Sequence, residues 1–339
     1  MSFSFGFSGD DIEGGEHEDV DQDPETNRND VSEKQDVVAQ PRVHTLKELL
    51  TSLPSQITYN SLRLPALANG FPNSPPLNVL RRSLVDIRAQ LMAEASEAND
   101  NDHLIENLNA GDLSKHAQLS NEPTHVIELG AGSAIPSLTV LKLRPKAGPK
   151  LHLTLADYNA DVLKLCTAPN TFLHLCPPKD APQRGALNLG HEYDYDLEEV
   201  QPQLNGIEDV LAEQHLSVDF VSGGWGKQFV DLVTSLEPSN SGSDAQLKRL
   251  ILATETIYSP DTLPVFTSTL LSLLRQARSG SRALVAAKQI YFGVGGGVAE
   301  FERELKTQDA NAQLKSVWQC PYKDTVGRVI LEVTLPQGP

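Results

Sequence analysis

Hydrophobic and polar positions change rhythm several times along the chain. Beyond Phe3, Phe5 and Phe7, the first forty residues carry almost no apolar pattern. From Val43, HTLKELLTSLP places Leu46, Leu49, Leu50 and Leu53 on one helical face, with Thr45 as a candidate cap. NVLRRSLVDIRAQLMAEA, from Asn78, spaces Leu80, Leu84, Ile87 and Leu91 in the same way and predicts a second amphipathic helix. Gly70, Pro72, Pro75 and Pro76 break the chain between the two. The polar stretch EASEANDNDHLIENLNAGDL that follows reads as a loop insertion.

From Thr124 strand and helix patterns alternate. THVIEL is a strand, followed by GAGSAIP and a helix to about Leu143. LHLTLAD (Leu151 to Asp157) is the next strand, with a helix to about Leu175 and then the Pro/Gly-rich PPKDAPQRGALNLG. A helix around Asp196 to Gln214 leads into the strand VDFVSGG from Val218. RLILATE (Arg249 to Glu255) is apolar on both faces, as a central parallel strand is. A helix to about Arg278, the strand RALVAAK from Arg282 and the helix AEFERELKT from Ala299 come next. SVWQC and RVILEVTL close the chain as two strands with no helix between them. The predicted architecture is a Rossmann-like α/β sheet ending in an antiparallel hairpin, preceded by a helical extension. The expected divisions are a leader over 1–41, the extension over 42–98, a polar insertion over 99–123 and an α/β domain over 124–339.

Charge sharpens the first of these divisions. The 339-residue chain has 28 Lys+Arg against 45 Asp+Glu, a net −17. Twelve acids lie between Asp10 and Asp36, opposed only by Arg28 and Lys34, so roughly −10 of the total sits there. Such a segment has too little apolar surface to offset its ordering entropy, and Gly9 to about Gln40 is expected to be disordered. The aromatic leader Phe3, Phe5, Phe7 reads either as an unstructured start or as a docking strand. An acidic chain disfavours nonspecific nucleic acid and anionic membrane, and suits a basic partner. There is no transmembrane-length apolar run and no secretory signal pattern. Cys166, Cys176 and Cys320 have neither disulfide-framework nor zinc spacing, the nine His show no ligand pairing, and no metal is expected.

The candidate chemistry lies at strand ends. Glu128-Leu-Gly130-Ala-Gly132-Ser-Ala134 follows a strand and opens a helix. Ala134 departs from the dinucleotide fingerprint, and an acid beside the loop disfavours a pyrophosphate. S-adenosylmethionine, with its ammonium and sulfonium, fits that loop better. Asp157 ends the next strand about 25 residues on. It can accept both ribose hydroxyls, cap a helix, or do both, with Asn159 beside it. In Ser222-Gly223-Gly224-Trp225 the glycines leave room for a flat ring, and Trp225 reads equally as adenine wall or as core. Glu255-Thr-Ile-Tyr258 follows the fourth strand, where Glu255 can hold an amine or imidazole N–H and Tyr258 can wall an acceptor. The late glycine run in AAKQIYFGVGGGVAEF has no P-loop Lys-Ser/Thr and reads as a loop shaping the acceptor channel.

MSFSFGF followed by acids, VIELGAGSAIPSL, LADYNADVL, LILATETIYSP and AAKQIYFGVGGG together resemble the eukaryotic protein-histidine N-methyltransferases, seven-β-strand class I enzymes with an acid-x-x-Tyr motif. The resemblance covers the start of the chain and most of Leu77 to the end. It implies a seven-stranded methyltransferase sheet and S-adenosylmethionine as methyl donor. It also implies methylation of the tele nitrogen of a histidine in large-subunit ribosomal protein L three. On it, Glu128, Gly130 and Gly132 attach to the methionine moiety, Asp157 to ribose, and Glu255 with Tyr258 to the acceptor side. Asn159, Gly223, Trp225 and Glu255 complete the expected cofactor set. Where relatives often carry Gly-Gly-Leu-Lys-x-Trp-Glu, this chain has Leu80-Arg81-Arg82-Ser83-Leu84.

The expected partner is a basic protein substrate, with no specific nucleic-acid binding and no membrane, and the expected residence is cytoplasmic and nuclear. A lysine methyltransferase of the same motif group and a non-catalytic binder of a basic partner are the alternatives.

Overall fold

A computed structural model describes residues 39–51, 53–64, 77–83, 85–87, 119, 122–145, 148–178, 191–196, 204–237, 247–291, 293, 295–320 and 327–336. The aromatic and acidic leader, the polar insertion and most of PPKDAPQRGALNLG lie outside the described residues.

The domain from Thr124 is built on a central sheet whose inner strands are buried on both faces. β4 (Thr124–Leu129) and β5 (Leu151–Asp157) run parallel and are buried along nearly their whole length. β7 (Leu216–Ser222), β8 (Lys248–Thr254) and β9 (Arg282–Lys288) extend the parallel set, while β11 (Arg328–Thr334) and β10 (Gln313–Cys320) add the antiparallel hairpin. With β1 (Arg42–His44) at one edge, the order is β1-β7-β5-β4-β8-β9-β11-β10. Counting only this sheet's strands from Thr124, the order is 3-2-1-4-5-7-6, the seven strands that the resemblance implies, with one strand more than expected. The extra strand is β1 (Arg42–His44), which pairs antiparallel with β7 on the open edge.

Helices cover both faces. α2 (Ile135–Leu143) and α3 (Ala168–Leu175) pack on one side; α5 (Lys227–Ser235), α6 (Leu263–Arg275) and α7 (Val298–Gln308) pack on the other. A turn of α-helix and a π-helical turn, Leu163–Thr167, lead into α3. The chain goes from β4 outward to β5 and β7, then returns to β8 on the other side of β4. This reversal puts the topological switch point between β4 and β8, and open α/β sheets bind ligands at the carboxyl ends of the strands beside such a point.

The extension corrects the expectation of a helical segment. α1 (Leu46–Leu50) is present, capped by Thr45, whose side chain accepts the Glu48 N–H at 3.1 Å. Asn78 onward is instead strand β3 (Leu77–Arg82), and only residues 85–87 after it are helical among the described residues. β3 pairs with β2 (Gln56–Leu64), which pairs with β6 (Glu192–Asp196), forming a second antiparallel sheet. β6 also displaces the start of the helix expected from Asp196; the helix α4 runs Ile207–Glu213. Tyr59 on β2 meets Tyr193 and Tyr195 on β6, with the Tyr59–Tyr193 rings stacked at 5.6 Å and the Tyr195 hydroxyl donating to the Cys176 carbonyl at 2.8 Å. Ala39 and Gln40, at the end of the stretch expected to be disordered, are described, and Ala39 accepts the Gly224 N–H at 2.9 Å; the rest of that stretch lies outside the described residues.

Candidate active site

The loop leaving β4 is bent by three left-handed residues, Gly130 (φ 70°), Gly132 (φ 49°) and Ala134 (φ 56°). Ala134 is the N-cap residue of α2 and offers no side-chain acceptor. Glu128 supplies one from the strand below: its Oε2 accepts the Ser137 N–H at 3.1 Å, satisfying a donor that a helix start leaves open. Glu128 is only 1 % exposed. Burial pushes its carboxyl up to about 8, against the pull of the Ser137 hydrogen bonds, with a smaller upward push from Asp157. Glu128 and Asp157 thus flank the loop from the tips of adjacent strands.

Asp157 closes the loop from the side. Its Oδ2 accepts the Gly132 N–H at 3.0 Å and its Oδ1 the Asn159 N–H at 3.1 Å. Burial raises its carboxyl above the usual range, while these backbone donors pull it down. A carboxylate has about four acceptor positions, so capacity remains for a vicinal diol. Asn159 caps the following helical turn, its Oδ1 accepting the Asp161 N–H at 2.9 Å. Tyr158 between them is 61 % exposed, an aromatic face just past β5 that sequence reasoning passed over.

Residues beneath the loop were also missed. The Thr167 hydroxyl donates to the Gly132 carbonyl at 2.6 Å, and Asn170 Nδ2 donates to the Ser133 carbonyl at 2.9 Å. Asn170 Oδ1 accepts the Arg82 N–H at 2.7 Å, so the extension is tied to the loop through one side chain. Arg82 is buried, with Nε on Asp86 at 2.6 Å and NH1 on the Leu165 carbonyl at 3.1 Å. The only sequence signal here was the Arg81-Arg82 pair itself.

Gly223 has a different use from the one expected. It has φ 111°, and a Cβ there would sit 2.7 Å from the Gln40 carbonyl oxygen and 2.8 Å from Pro41 Cα. The room it leaves is filled by this chain's own backbone, entering β1. Its N–H donates to the Asp157 carbonyl at 3.1 Å. Trp225 is half-buried and leans on Phe266 of α6, ring centroids 5.2 Å apart.

The tip of β8 carries Glu255 in a left-handed conformation (φ 56°). Its Oε2 accepts the Tyr291 hydroxyl at 2.8 Å, and its N–H donates to the Ala286 carbonyl at 2.9 Å. Tyr258 is 48 % exposed, its ring 6.2 Å from that of Tyr291. The glycine-rich loop presses on the same tip: a Cβ on Gly296 would lie 2.2 Å from the Tyr258 carbonyl oxygen. Thr256 also reaches the first loop, its Cγ2 3.2 Å from where a Gly130 side chain would begin. The two motifs therefore meet across the β4/β8 boundary. Among the described residues no cluster of His, Cys, Asp and Glu could hold a metal ion, and no helix is long and apolar enough to cross a membrane.

These parts suit a nucleoside-bearing cation: a backbone loop without side chains, an acid for a diol, and a carboxylate with an aromatic wall at the far side. Comparison with known proteins gives that reading a family. The chain is 30 % identical to histidine protein methyltransferase 1 of Saccharomyces cerevisiae, over 90 % of this chain and 90 % of that protein. The chain belongs to the histidine protein methyltransferase 1 family. The Schizosaccharomyces pombe member is 28 % identical over 80 % of this chain and 79 % of its own length. The Bos taurus homolog is 30 % identical over 54 % of this chain and 42 % of its own. No family model matches. Membership makes the chain a methyltransferase acting on protein histidine, and S-adenosylmethionine is the methyl donor that the loop and its flanking acids fit.

Proposed function

We propose that this enzyme methylates the tele nitrogen of a histidine in a basic large-subunit ribosomal protein of the L three type, in cytoplasm and nucleus. The convergence of Glu255, Tyr258 and the Gly296 loop at the tip of β8, in a chain of this family, is the observation that carries the reading.

Gly130 and Gly132 would pass the methionine part of the donor, Asp157 would take the ribose hydroxyls, and Tyr158 or Trp225 would border the base. When bound, S-adenosylmethionine supplies a methyl carbon made electrophilic by the sulfonium. Little acid–base help is needed, because a neutral imidazole already offers a lone pair on one nitrogen. The site must select the tautomer and align that lone pair, which is a matter of positioning. Glu255 accepts the N–H of the other ring nitrogen. When bound, the donor would supply the methyl carbon to the attacking nitrogen and keep the electron pair of its S–C bond, and the N–H proton of the methylated ring would pass to Glu255 or water. The acidic leader, at roughly −10, attracts a basic substrate through its charge alone.

Glu255→Gln and Tyr258→Phe, assayed for methyl transfer and separately for cofactor binding, test the site. Both should lose turnover and keep cofactor affinity, and normal turnover in both would remove the assignment. Radiolabelled methyl transfer to extracts lacking the enzyme, followed by mapping and amino-acid analysis, tests the substrate. Methyl-lysine as the product would favour the lysine alternative.

A further inference from the structure

Tyr291 binds the Glu255 carboxylate from across the β8–β9 boundary. It lies three residues past β9, at the base of the glycine-rich loop, where Ile290 pairs with Gly297. Its hydroxyl is doubly fixed: it donates to Glu255 Oε2 at 2.8 Å and accepts the Lys288 backbone N–H at 3.2 Å. Its ring is 9 % exposed, with Lys288 Nζ 5.6 Å from the ring centre. Burial, and next the Glu255 charge, hold the phenol well above its usual range, so it stays protonated and remains a donor. Arg328 on β11 also acts on it, more weakly and in the opposite sense.

Glu255 needs such a partner. Its left-handed backbone (φ 56°), strained for a non-glycine residue, fixes where the side chain starts. Three further side-chain torsions remain before the carboxylate. A free imidazole populates both tautomers, and a carboxylate that wanders would accept either N–H. A carboxylate held by a buried phenol, itself held by the main chain, presents its lone pairs in one direction.

We propose that Tyr291 is a positioning residue: its hydroxyl orients the Glu255 carboxylate toward one N–H of the acceptor imidazole and thereby sets which ring nitrogen is methylated. The proposal rests on the histidine-methyltransferase reading above. Tyr291 does not touch the reacting atoms; it acts through Glu255.

The experiment compares wild type, Tyr291→Phe, Glu255→Gln and the double variant on a histidine-containing substrate peptide. It measures kcat, KM, S-adenosylmethionine affinity and the ratio of tele- to pros-methylhistidine by chromatography. Wild type should give one isomer. Tyr291→Phe keeps the ring packing, should lower kcat by about tenfold to a hundredfold with cofactor affinity unchanged, and should release the second isomer. In the Glu255→Gln background the same change should add less than about a twofold loss, because the two residues act as one unit. Wild-type kcat with a single isomer in Tyr291→Phe, or multiplied losses in the double variant, would overturn the proposal. Fluorotyrosine at position 291 keeps both fold and hydroxyl while strengthening the donor. It should preserve the single isomer, and a mixed product there would also count against the proposal. Methyl-lysine from wild type would instead sink the histidine reading. The double-variant cycle would still decide whether Tyr291 works through Glu255.

Discussion

The Gly132 N–H donates to Oδ2 of Asp157 at 3.0 Å, so the tip of β5 holds the loop that leaves β4. One carboxylate therefore shapes the backbone cradle, and on the proposed reading it also takes the donor's ribose hydroxyls. Asp157→Ala removes both functions and should weaken S-adenosylmethionine binding by about tenfold to a hundredfold, the loss of one or two charged hydrogen bonds. Asn159→Ala removes only a cap and should cost about 1 kcal/mol of stability with a smaller change in affinity. Calorimetric titration separates the two, and wild-type affinity in Asp157→Ala would exclude it from the cofactor site.

Gly296 packs where no side chain fits. A Cβ would meet the Tyr258 carbonyl oxygen at 2.2 Å and the Ile257 carbonyl oxygen at 2.7 Å, both main-chain atoms that move only with the whole turn. Gly296→Ala should push the Glu255–Tyr258 turn away and lower kcat by about tenfold or more, while cofactor affinity at the β4 loop stays within about twofold. Gly293, with φ 82° and nothing within 4 Å, is the control: alanine there should cost only the backbone strain of about 1 kcal/mol. Equal kinetics for the two variants would refute a packing role for Gly296.

Asn170 carries the link between extension and loop, accepting from Arg82 N–H and donating to the Ser133 carbonyl while wholly buried. Asn170→Ala leaves two buried main-chain groups unpaired and should cost about 2–4 kcal/mol in urea unfolding, with weaker cofactor binding beside it. A loss of stability with unchanged binding would mean that the loop holds its shape without this tie.

That link also explains what the sequence concealed. The strands β4, β5, β7 and β8 were legible because each is a short apolar run ending in chemistry: Glu128, Asp157, Ser222-Gly223, Glu255; β9 was legible from its apolar run alone. β3 was not, because Leu80, Leu84 and Ile87 imitate a helical face while a buried arginine, Arg82, breaks the alternation that would reveal a strand. Its partner β2 pairs in turn with β6, far along the chain, so that Tyr59 faces both Arg82 and Tyr193, and no local pattern reports such pairing. At the site the motifs were readable but their internal bonds were not. Gly223 looked like space for a ligand, yet Gln40 and Pro41 occupy it. Tyr291 stood in a stretch read only as a loop, because a hydrogen bond to Glu255 across 36 residues leaves no periodicity.

The leader's charge can be tested apart from the fold. Deleting residues 9–36 removes roughly −10 of the net −17 while leaving Ala39 and β1 to pair with Gly224 and β7. Association with a basic substrate should slow at low salt, and its rate should respond less to added salt, since steering by exposed charge is screened within about 10 Å at 0.1 M. Cofactor affinity should not change. Stopped-flow association across ionic strength checks this, and an unchanged salt dependence would reduce the leader to a solubilising tail.

Glu128 gives a pH prediction whose sign is fixed by burial. Its folded carboxyl titrates at about 8, above its ordinary 4.5. The folded state therefore holds a proton that the unfolded chain has released between those values, and Glu128 lowers stability as pH rises from about 4.5 to about 8. His125 works in the opposite direction: wholly buried against Glu237 and Thr154, it is pushed down to about 4, so its contribution is present above 6.5 and is lost as pH falls toward 4. The two oppose each other in wild type, and variants separate them. Glu128→Gln keeps a carbonyl to accept the Ser137 N–H and never ionises. Its stability relative to wild type should rise steadily from pH 5 to pH 8, whereas Glu128→Ala, which orphans that N–H, should be less stable than Glu128→Gln at every pH by about 1–3 kcal/mol. Urea midpoints at intervals across that range measure both. A Glu128→Gln difference that stays flat with pH would show that Glu128 is already ionised in the folded protein, with its charge answered by groups around the loop.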